Sequence, residues 1–420
     1  MARKMKDSGI EWIGEIPEGW EVGQIGQLYS ERRTKVSDKD YPPLSVTMKG
    51  ILPQLSTAAK TDAHDDRKLV CKGDFAINSR SDRRGSCGIS EQDGSISLIN
   101  TVLQPRGEMN PGYYNWLFHT SMFADEFYKW GHGIVDDLWT TGWSDMKKIG
   151  VPVPSKCEQK QLAEHLNIEC SNIDSILSKT RSSIEEYKKL KQAVITQAVT
   201  KGVRGEREMK DSGVEWIGEI PEEWNKCKLK NISIDIGDGL HGTPKFDDSG
   251  EVYFINGNNF SSEYVEPKFD TKKLCLEESL NYPKPELTEQ TIMISLNGSY
   301  GKVCLYRYFP MLLGKSAGYI TLLPSINRRY VRYYLSSTPA QIMMTLSLNG
   351  TTIPNLSLNT LYNFPTILPS ASEQAEIADY LDAKCAEIDG LIAKKEQLVK
   401  ELESYKKSLI YEVVTGKREV

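Results

Sequence analysis

Three short polar stretches carry the side chains best suited to gripping phosphates or the edges of bases. Asn78 to Ser86 reads NSRSDRRGS, three arginines and three serines beside a glycine, directly after an apolar run. A guanidinium forks onto two acceptors at once and glycine admits close backbone approach, so Asn78, Arg80, Ser81, Arg83, Arg84 and Ser86 are candidate contacts to phosphate or guanine. Further along, Gly237 to Lys245 reads GDGLHGTPK and Asn297 to Lys302 reads NGSYGK. There His241, Thr243, Lys245, Asn297, Ser299, Tyr300 and Lys302 combine amide, hydroxyl and cationic groups. Asn258, flanked by Asn256 and Asn259, adds the carboxamide that can pair bidentately with adenine. The alternative for each loop is a plain turn, the commonest use of glycine-rich polar segments, and His241 has no second histidine or carboxylate cluster beside it.

Catalytic chemistry finds no comparable set. The chain has no N-P-P-[FY] or D-P-P-[FY] methyltransferase signature, no G-x-x-x-x-G-K-[ST] loop and no H-E-x-x-H pair. Its 8 cysteines include no C-x-x-C pair and the 5 histidines stand apart from them, which favours reduced, packed thiols over zinc ligands or disulfides. A net charge of −5 argues against gripping a polyanion by bulk electrostatics, so such binding would need local basic patches or a partner.

The elements that must position these loops are duplicated. Met5 to Trp20 (MKDSGIEWIGEIPEGW) recurs as Met209 to Trp224 (MKDSGVEWIGEIPEEW), with fourteen of sixteen positions identical. A second repeat relates VPVPSKCEQKQLAEHLNIECSNIDSIL around Pro154 to TILPSASEQAEIADYLDAKCAEIDGLI around Pro369, and its register runs on to Val199-Thr200 and Val414-Thr415. The C-terminal VTGKREV and N-terminal MARKMKDSG resemble the two sides of the central VTKGVRGEREMKDSG junction, so the ends of the chain are expected to meet in a closed, pseudo-two-fold arrangement.

Each copy of the second repeat predicts a long helix. Ser155-x-x-Glu158 and Ser370-x-x-Glu373 are capping-box signatures after a proline. Beyond them Leu162, Leu166, Ile173, Leu177, Ile184, Tyr187 and Val194 form one apolar stripe, and Ile377, Leu381, Ile388, Ile392, Val399, Leu402 and Leu409 the other. The stripes repeat at matched length, which predicts an antiparallel coiled coil about 65 Å long at 1.5 Å per residue, enough to hold two domains apart. Cys170 and Cys385 flank equivalent turns of the stripes and read as packing residues. Trp12, Ile13, Ile16 and Trp20, with Trp216, Ile217, Ile220 and Trp224, are too apolar for a linker and are expected to pack where each domain begins, the alternative being an exposed face for a partner, while Pro17 and Pro221 keep the block from forming one helix.

Between the repeats, 21–153 and 225–368 share little sequence. Both read as α+β: DFAIN and SISLINTVLQ are expected strands before the helical YYNWLF, and VYFIN, TIMISLN, KVCLYRYF and GYITLLP precede the helical RRYVRYYL.

Two dissimilar inserts framed by repeated WIGEIPE blocks and EQ-initiated helices resemble the specificity subunit of type I restriction-modification systems, along essentially the whole chain. The stretch DGLHGTPKFDDSGEVYFINGNN is also similar to the opening of a target-recognition domain of that family. The resemblance implies an α+β fold with two target-recognition domains, 1–153 and 205–368, separated by helices at 154–204 and 369–420 that form the antiparallel coiled coil. It implies a non-catalytic subunit that reads a bipartite, asymmetric site in double-stranded DNA and docks two modification subunits and two restriction subunits. S-adenosylmethionine would belong to the modification subunits, ATP and Mg to the restriction subunits, and no cofactor to this chain. No run approaches the roughly 18 apolar residues of a membrane span, so a cytoplasmic protein with no membrane partner is expected.

Two other classes compete. A self-contained restriction or modification enzyme would need a catalytic domain, for which the two inserts and their helices leave no room. A coiled-coil scaffold joining protein-binding domains would show no DNA specificity.

Overall fold

The computed structural model describes residues 3–54, 64–80, 83–133, 139–348 and 354–420. They form two compact units, Met1–Arg181 with Glu396–Val420, and Ser182–Lys395. Each has its own core and is built to the same plan.

In the first unit a four-stranded antiparallel sheet runs in the order Cys87–Ile89, Phe75–Asn78, Asn100–Pro105, Tyr29–Glu31. The second unit repeats it with Val303–Leu305, Thr291–Ser295, Ala317–Leu322 and Ser233–Asp238. The central strands are buried on both faces because period-two alternation feeds two cores. Phe75, Ile77 and Leu103 face the main helical core, while Ala76 and Val102 meet Leu44, Val70 and Ile96. Ile292, Ile294 and Ile320 divide from Met293 and Tyr319 in the same way. The expected run SISLINTVLQ is two strands, Gly94–Ile96 and Asn100–Pro105, because Ser97 to Ile99 turn out of the ladder: Asn100 N donates to Ser97 O at 3.1 Å.

A helix follows each sheet, Pro111–Phe118 and Arg328–Ser336, each capped by an asparagine, Asn110 or Asn327, whose side chain accepts from backbone N–H groups of the first turn. A two-stranded clasp closes each insert: Glu21–Gln24 pairs with Gly150–Val153, and Asn225–Lys228 with Pro365–Leu368. The strand that leaves each WIGEIPE block thus lies beside the strand that enters each long helix.

Those helices are Lys156–Lys201 and Ala371–Val414, of 46 and 44 residues. In the first unit Leu162, Leu166, Ile173 and Leu177 share a core with Leu409, Val413 and Val414; in the second, Ile195, Ala198 and Val199 share one with Ile377, Leu381 and Cys385. The pairing is antiparallel within each unit, with Lys406 on Asp174 at 2.6 Å and Arg181 on Glu403 in the first, and Lys191 on Asp389 at 2.6 Å in the second. Asp174 and Lys191 are the repeat equivalents of Asp389 and Lys406, so duplication made the same ion pair twice. Cys170 and Cys385 are buried in the helix packing, and all eight cysteines are free thiols.

Chain ends meet within the first unit. Lys417 Nζ donates to the carbonyl of Ile13 at 2.7 Å, and Tyr411 Oη to that of Ile13 at 3.1 Å. Of the WIGEIPE anchors, Trp12, Ile13, Ile16 and Trp20 are buried, as are Ile220 and Trp224, whereas Trp216 is exposed. Trp12 meets Phe123 edge-on, and no such ring contact covers Trp216 among the described residues.

Candidate nucleic-acid interface

The first arginine loop is a frame as much as a surface. Asn78 N donates to Ser86 O, Ser79 Oγ lies 2.9 Å from Thr101 Oγ1, and Gly85 at φ 73° completes the turn. Asn78 and Ser86 are buried, and the Asn78 carboxamide oxygen accepts from Arg80 N at 3.0 Å. Arg83 is exposed at the turn. Arg84 pairs with Asp125 and lies over the Tyr128 ring at 5.4 Å, half open to solvent. Arg80 is partly buried, bridging to Thr140 in the backbone. Ser81 lies outside the described residues. Cationic chemistry therefore reaches the surface here through Arg83 and Arg84, while the amide and hydroxyl groups at the loop's ends face inward.

In the second unit the candidates fall into separate places. Thr243 and Asn258 line one cleft of about 430 Å³ together with Asn256, Lys268 and Lys272. Asn256 and Asn259 build its floor: Asn256 N donates to Asn259 Oδ1 at 3.0 Å, and Asn259 Nδ2 donates to Thr271 Oγ1 at 2.8 Å. With Asn259 buried and Asn258 exposed, one amide of the run holds the loop while the next is presented. His241 is exposed and bound to Asp238 Oδ2 at 2.7 Å, a local turn contact. Lys245 opens onto an acidic cleft with Asp247, Asp248, Glu277 and Glu278. Hydrogen bonds hold the Glu278 carboxyl below its usual range, from Lys245 N first and then from the Tyr282 hydroxyl.

The NGSYGK loop borders a third cleft, of about 870 Å³, where Lys302 sits with Gln192, Ser262 and Thr345. Asn297 Nδ2 donates to Lys315 O at 3.3 Å, and Tyr300 Oη contacts Thr345 Oγ1 at 3.4 Å. Ser299 is exposed, and its carbonyl accepts from Ser295 Oγ at 2.6 Å.

Sequence reasoning passed over the lysines of 266–273. Lys272 Nζ lies 4.6 Å from the centre of the Phe246 ring and Lys273 Nζ 5.2 Å from that of Tyr253. A K-F-D-T-K-K run next to the asparagine triplet was the available signal.

The frame that carries these clefts is tied by the repeated E-Q pair. Glu158 accepts the Trp20 indole N–H at 3.1 Å while its other oxygen accepts from Ser155. Gln159 accepts from Asn110 N at 2.9 Å and donates to Pro154 O at 2.8 Å. Glu373 and Gln374 make the equivalent bonds to Trp224, Asn327 N and Pro369 O. Burial works to raise the Glu158 carboxyl, yet bonds from Ser155, Trp20 and Arg3 outweigh it and leave the group below its usual range.

Among the described residues no group of three or more His, Cys, Asp or Glu side chains could hold a metal ion, and no helix is long and apolar enough to cross a membrane.

Residues 221–401 match the family model described as the type I restriction modification DNA specificity domain. The MjaVIII specificity subunit of a type I restriction enzyme from Methanocaldococcus jannaschii is 26% identical, over 96% of this chain and 93% of its own length. The EcoBI specificity subunit from Escherichia coli is 24% identical over 57% of this chain and 52% of its own. A solved chain from work on complex assembly and conformational transition of the type I R-M system superposes with a TM-score of 0.75 at 14% identity, covering 95% of this chain and 98% of that one. The HsdS subunit of Thermoanaerobacter tengcongensis does so with a TM-score of 0.56 at 15% identity, covering 96% and 98%. At such identities the structural likeness establishes the fold.

Proposed function

We infer from its membership of the type I restriction-modification specificity-subunit family that this chain is the non-catalytic subunit that reads DNA sequence for a methyltransferase and endonuclease complex. The observation that carries this reading is one frame built twice around two different readers. The Trp-Glu and Gln-Asn ties recur bond for bond. The inserts they clasp share a sheet order and present unlike loops.

On this reading 1–153 and 205–368 are the target-recognition domains, joined by the helical segments 154–204 and 369–420 acting as a spacer between half-sites. Unlike readers imply unlike half-sites, hence a bipartite, asymmetric target in double-stranded DNA. The first domain would approach DNA with Arg83 and Arg84, the second with Thr243, Asn258 and the adjoining lysines. Two modification subunits would dock on the frame, bringing S-adenosylmethionine and adenine methylation. Two restriction subunits would add ATP- and Mg-dependent translocation and cleavage. Because the chain is acidic overall, those partners would supply much of the backbone grip. A complex that acts on cellular and incoming DNA would work in the cytoplasm.

Sequencing the modified bases of a host that carries the chain and its methyltransferase partner tests this directly. One split, asymmetric motif with a modified adenine on each side is expected. A contiguous or palindromic motif would overturn the assignment.

A further inference from the structure

The two inserts share one more element that their sequences hide. In the first unit the hairpin Leu44–Thr47 and Gly50–Pro53 runs beside the strand Gly94–Ile96, with a parallel bridge between Pro43 and Ser95. In the second, Val252–Ile255 pairs in parallel with Met311–Leu313 on one side and antiparallel with Lys273–Leu274 on the other. Both hairpins follow the first strand of the main sheet and precede its central strand, and each sets its first strand parallel to the strand that leads into the next central strand, Gly94–Ile96 or Met311–Leu313. They correspond in position, although the first is a two-stranded sheet of its own and the second part of a three-stranded one. The first closes in a two-residue turn, Met48-Lys49; the second closes through 256–272.

Each tip raises an apolar side chain next to a lysine. Met48 is 72% exposed and Phe269, between Lys268 and Asp270, is fully exposed. Neither protrudes from a loose segment. Thr47 Oγ1 donates to Gly50 O at 2.9 Å and accepts from Lys49 N at 3.1 Å. In the second tip, Thr271 N donates to Lys268 O at 3.0 Å, and buried Asn259 donates to Thr271 Oγ1 at 2.8 Å. Phe260 and Val265 anchor the same loop in a core. An aromatic ring held wholly in water on a fastened turn keeps a large apolar surface available for a partner, with its ordering cost already met.

Charge indicates which partner. Exposed Lys268 and Lys272 flank the ring with Lys273 behind them, against the carboxylates of Asp270 and Glu266, and the polar Thr243 and Asn258 cleft adjoins. Leu280 is also well exposed but sits on a helix bearing Glu277 and Glu278, which would repel a phosphate backbone. We propose that Phe269 is a wedge that enters the DNA duplex between base pairs at the second half-site, and that Met48 is its counterpart at the first. This rests on the DNA-reading role above. Phenylalanine and methionine are the kinds of side chain that part base steps, with flanking cations on the phosphates.

The test uses the full chain assembled with its methyltransferase partner on duplexes carrying the motif, with 2-aminopurine scanned through each purine position. Wild type should raise fluorescence at one step of the second half-site apart from the methylated adenines. Phe269→Ala should abolish that signal and weaken binding by roughly tenfold. Phe269→Leu should keep most of both, and Met48→Ala should act at the other half-site alone. All variants should melt as wild type does, since the side chains are exposed. Unstacking confined to the methylated adenines in wild type, or an unchanged signal in Phe269→Ala, overturns the wedge. So does release of the methyltransferase subunit by Phe269→Ala, which would make the ring a protein contact. A wild-type complex with no preference for the motif over a scrambled duplex would instead overturn the DNA-reading role.

Discussion

Trp224 donates its indole N–H to Glu373 at 2.9 Å, and both side chains are almost wholly buried. Arg207 lies over the indole at 5.2 Å and pairs with the same carboxylate at 2.7 Å. Trp20, Glu158 and Arg3 make the equivalent triad in the first unit, with Arg3 at 5.4 Å from the ring centre. The two sequence repeats are thereby halves of one joint: the WIGEIPE block supplies the indole and the helix start supplies the acceptor.

Removing that acceptor should be costly. Glu373→Ala leaves a buried indole N–H and the Arg207 cation without their partner, a loss of about 3 kcal/mol by the usual scale for broken buried pairs. Differential scanning calorimetry should show the melting of one unit shifted several degrees down and the other little changed. Equal shifts in both would contradict the local role assigned to the joint.

Acid should loosen the first joint. The folded Glu158 carboxyl titrates below its usual range because its hydrogen bonds outweigh the burial that raises it. Its stabilisation is present above the unfolded-state value and is lost as pH falls through the lower folded value. Melting temperature followed from neutral pH to about pH 3 should therefore fall less steeply in Glu158→Gln than in wild type. Parallel curves would remove Glu158 from the acid response.

The helix pairing predicts charge rescue at either of two equivalent sites. Asp174→Lys and Lys406→Asp should each weaken the first unit, and the double reversal should recover about 0.5 kcal/mol, as for partly exposed pairs. The same cycle at Lys191 and Asp389 should report on the second unit. Urea melts with additive losses in both cycles would count against these contacts.

Within the second domain, Asn258→Ala should relax discrimination at the second half-site by about 1–3 kcal/mol, the worth of a bidentate carboxamide–base pair, and Thr243→Ala, which removes a single hydroxyl contact, by less, both leaving the first half-site unchanged. Lys272→Gln should lower affinity for all sequences alike and reduce the salt slope by about one. Competition binding against half-site variants at two salt concentrations separates these effects; a change of discrimination at the first half-site in Asn258→Ala or Thr243→Ala, or a sequence-selective loss in Lys272→Gln, would reject the assignment.

Much of the fold was legible in local pattern. The Ser155–Glu158 capping box, the apolar stripes of both helices and the strands TIMIS and VYFI follow from periodicity and short-range hydrogen bonding, which neighbouring residues settle among themselves. At Ser370 only half of the box forms, because Glu373 turns its carboxylate to Trp224 and Arg207 instead. The inward turn of Asn78 and Ser86 was not legible, since nothing in NSRSDRRGS says that its two ends bond to each other and leave its middle arginines outside. Trp216 illustrates the same limit from the other side. It repeats Trp12 in sequence, yet only Trp12 has Phe123 to cover it.

By itself the sequence determined that this protein is one frame made twice around two unlike inserts, with paired long helices, because repeats and a sustained apolar period survive in one dimension. Only the tertiary structure decided what the repeated E-Q pair is for, which polar residues share a cleft, and that Met48 and Phe269 crown hairpins that correspond in position. Those facts depend on contacts between groups up to some 150 residues apart, such as Trp224 with Glu373, where the local spacing of residue types carries no information and the packing of the whole unit supplies it.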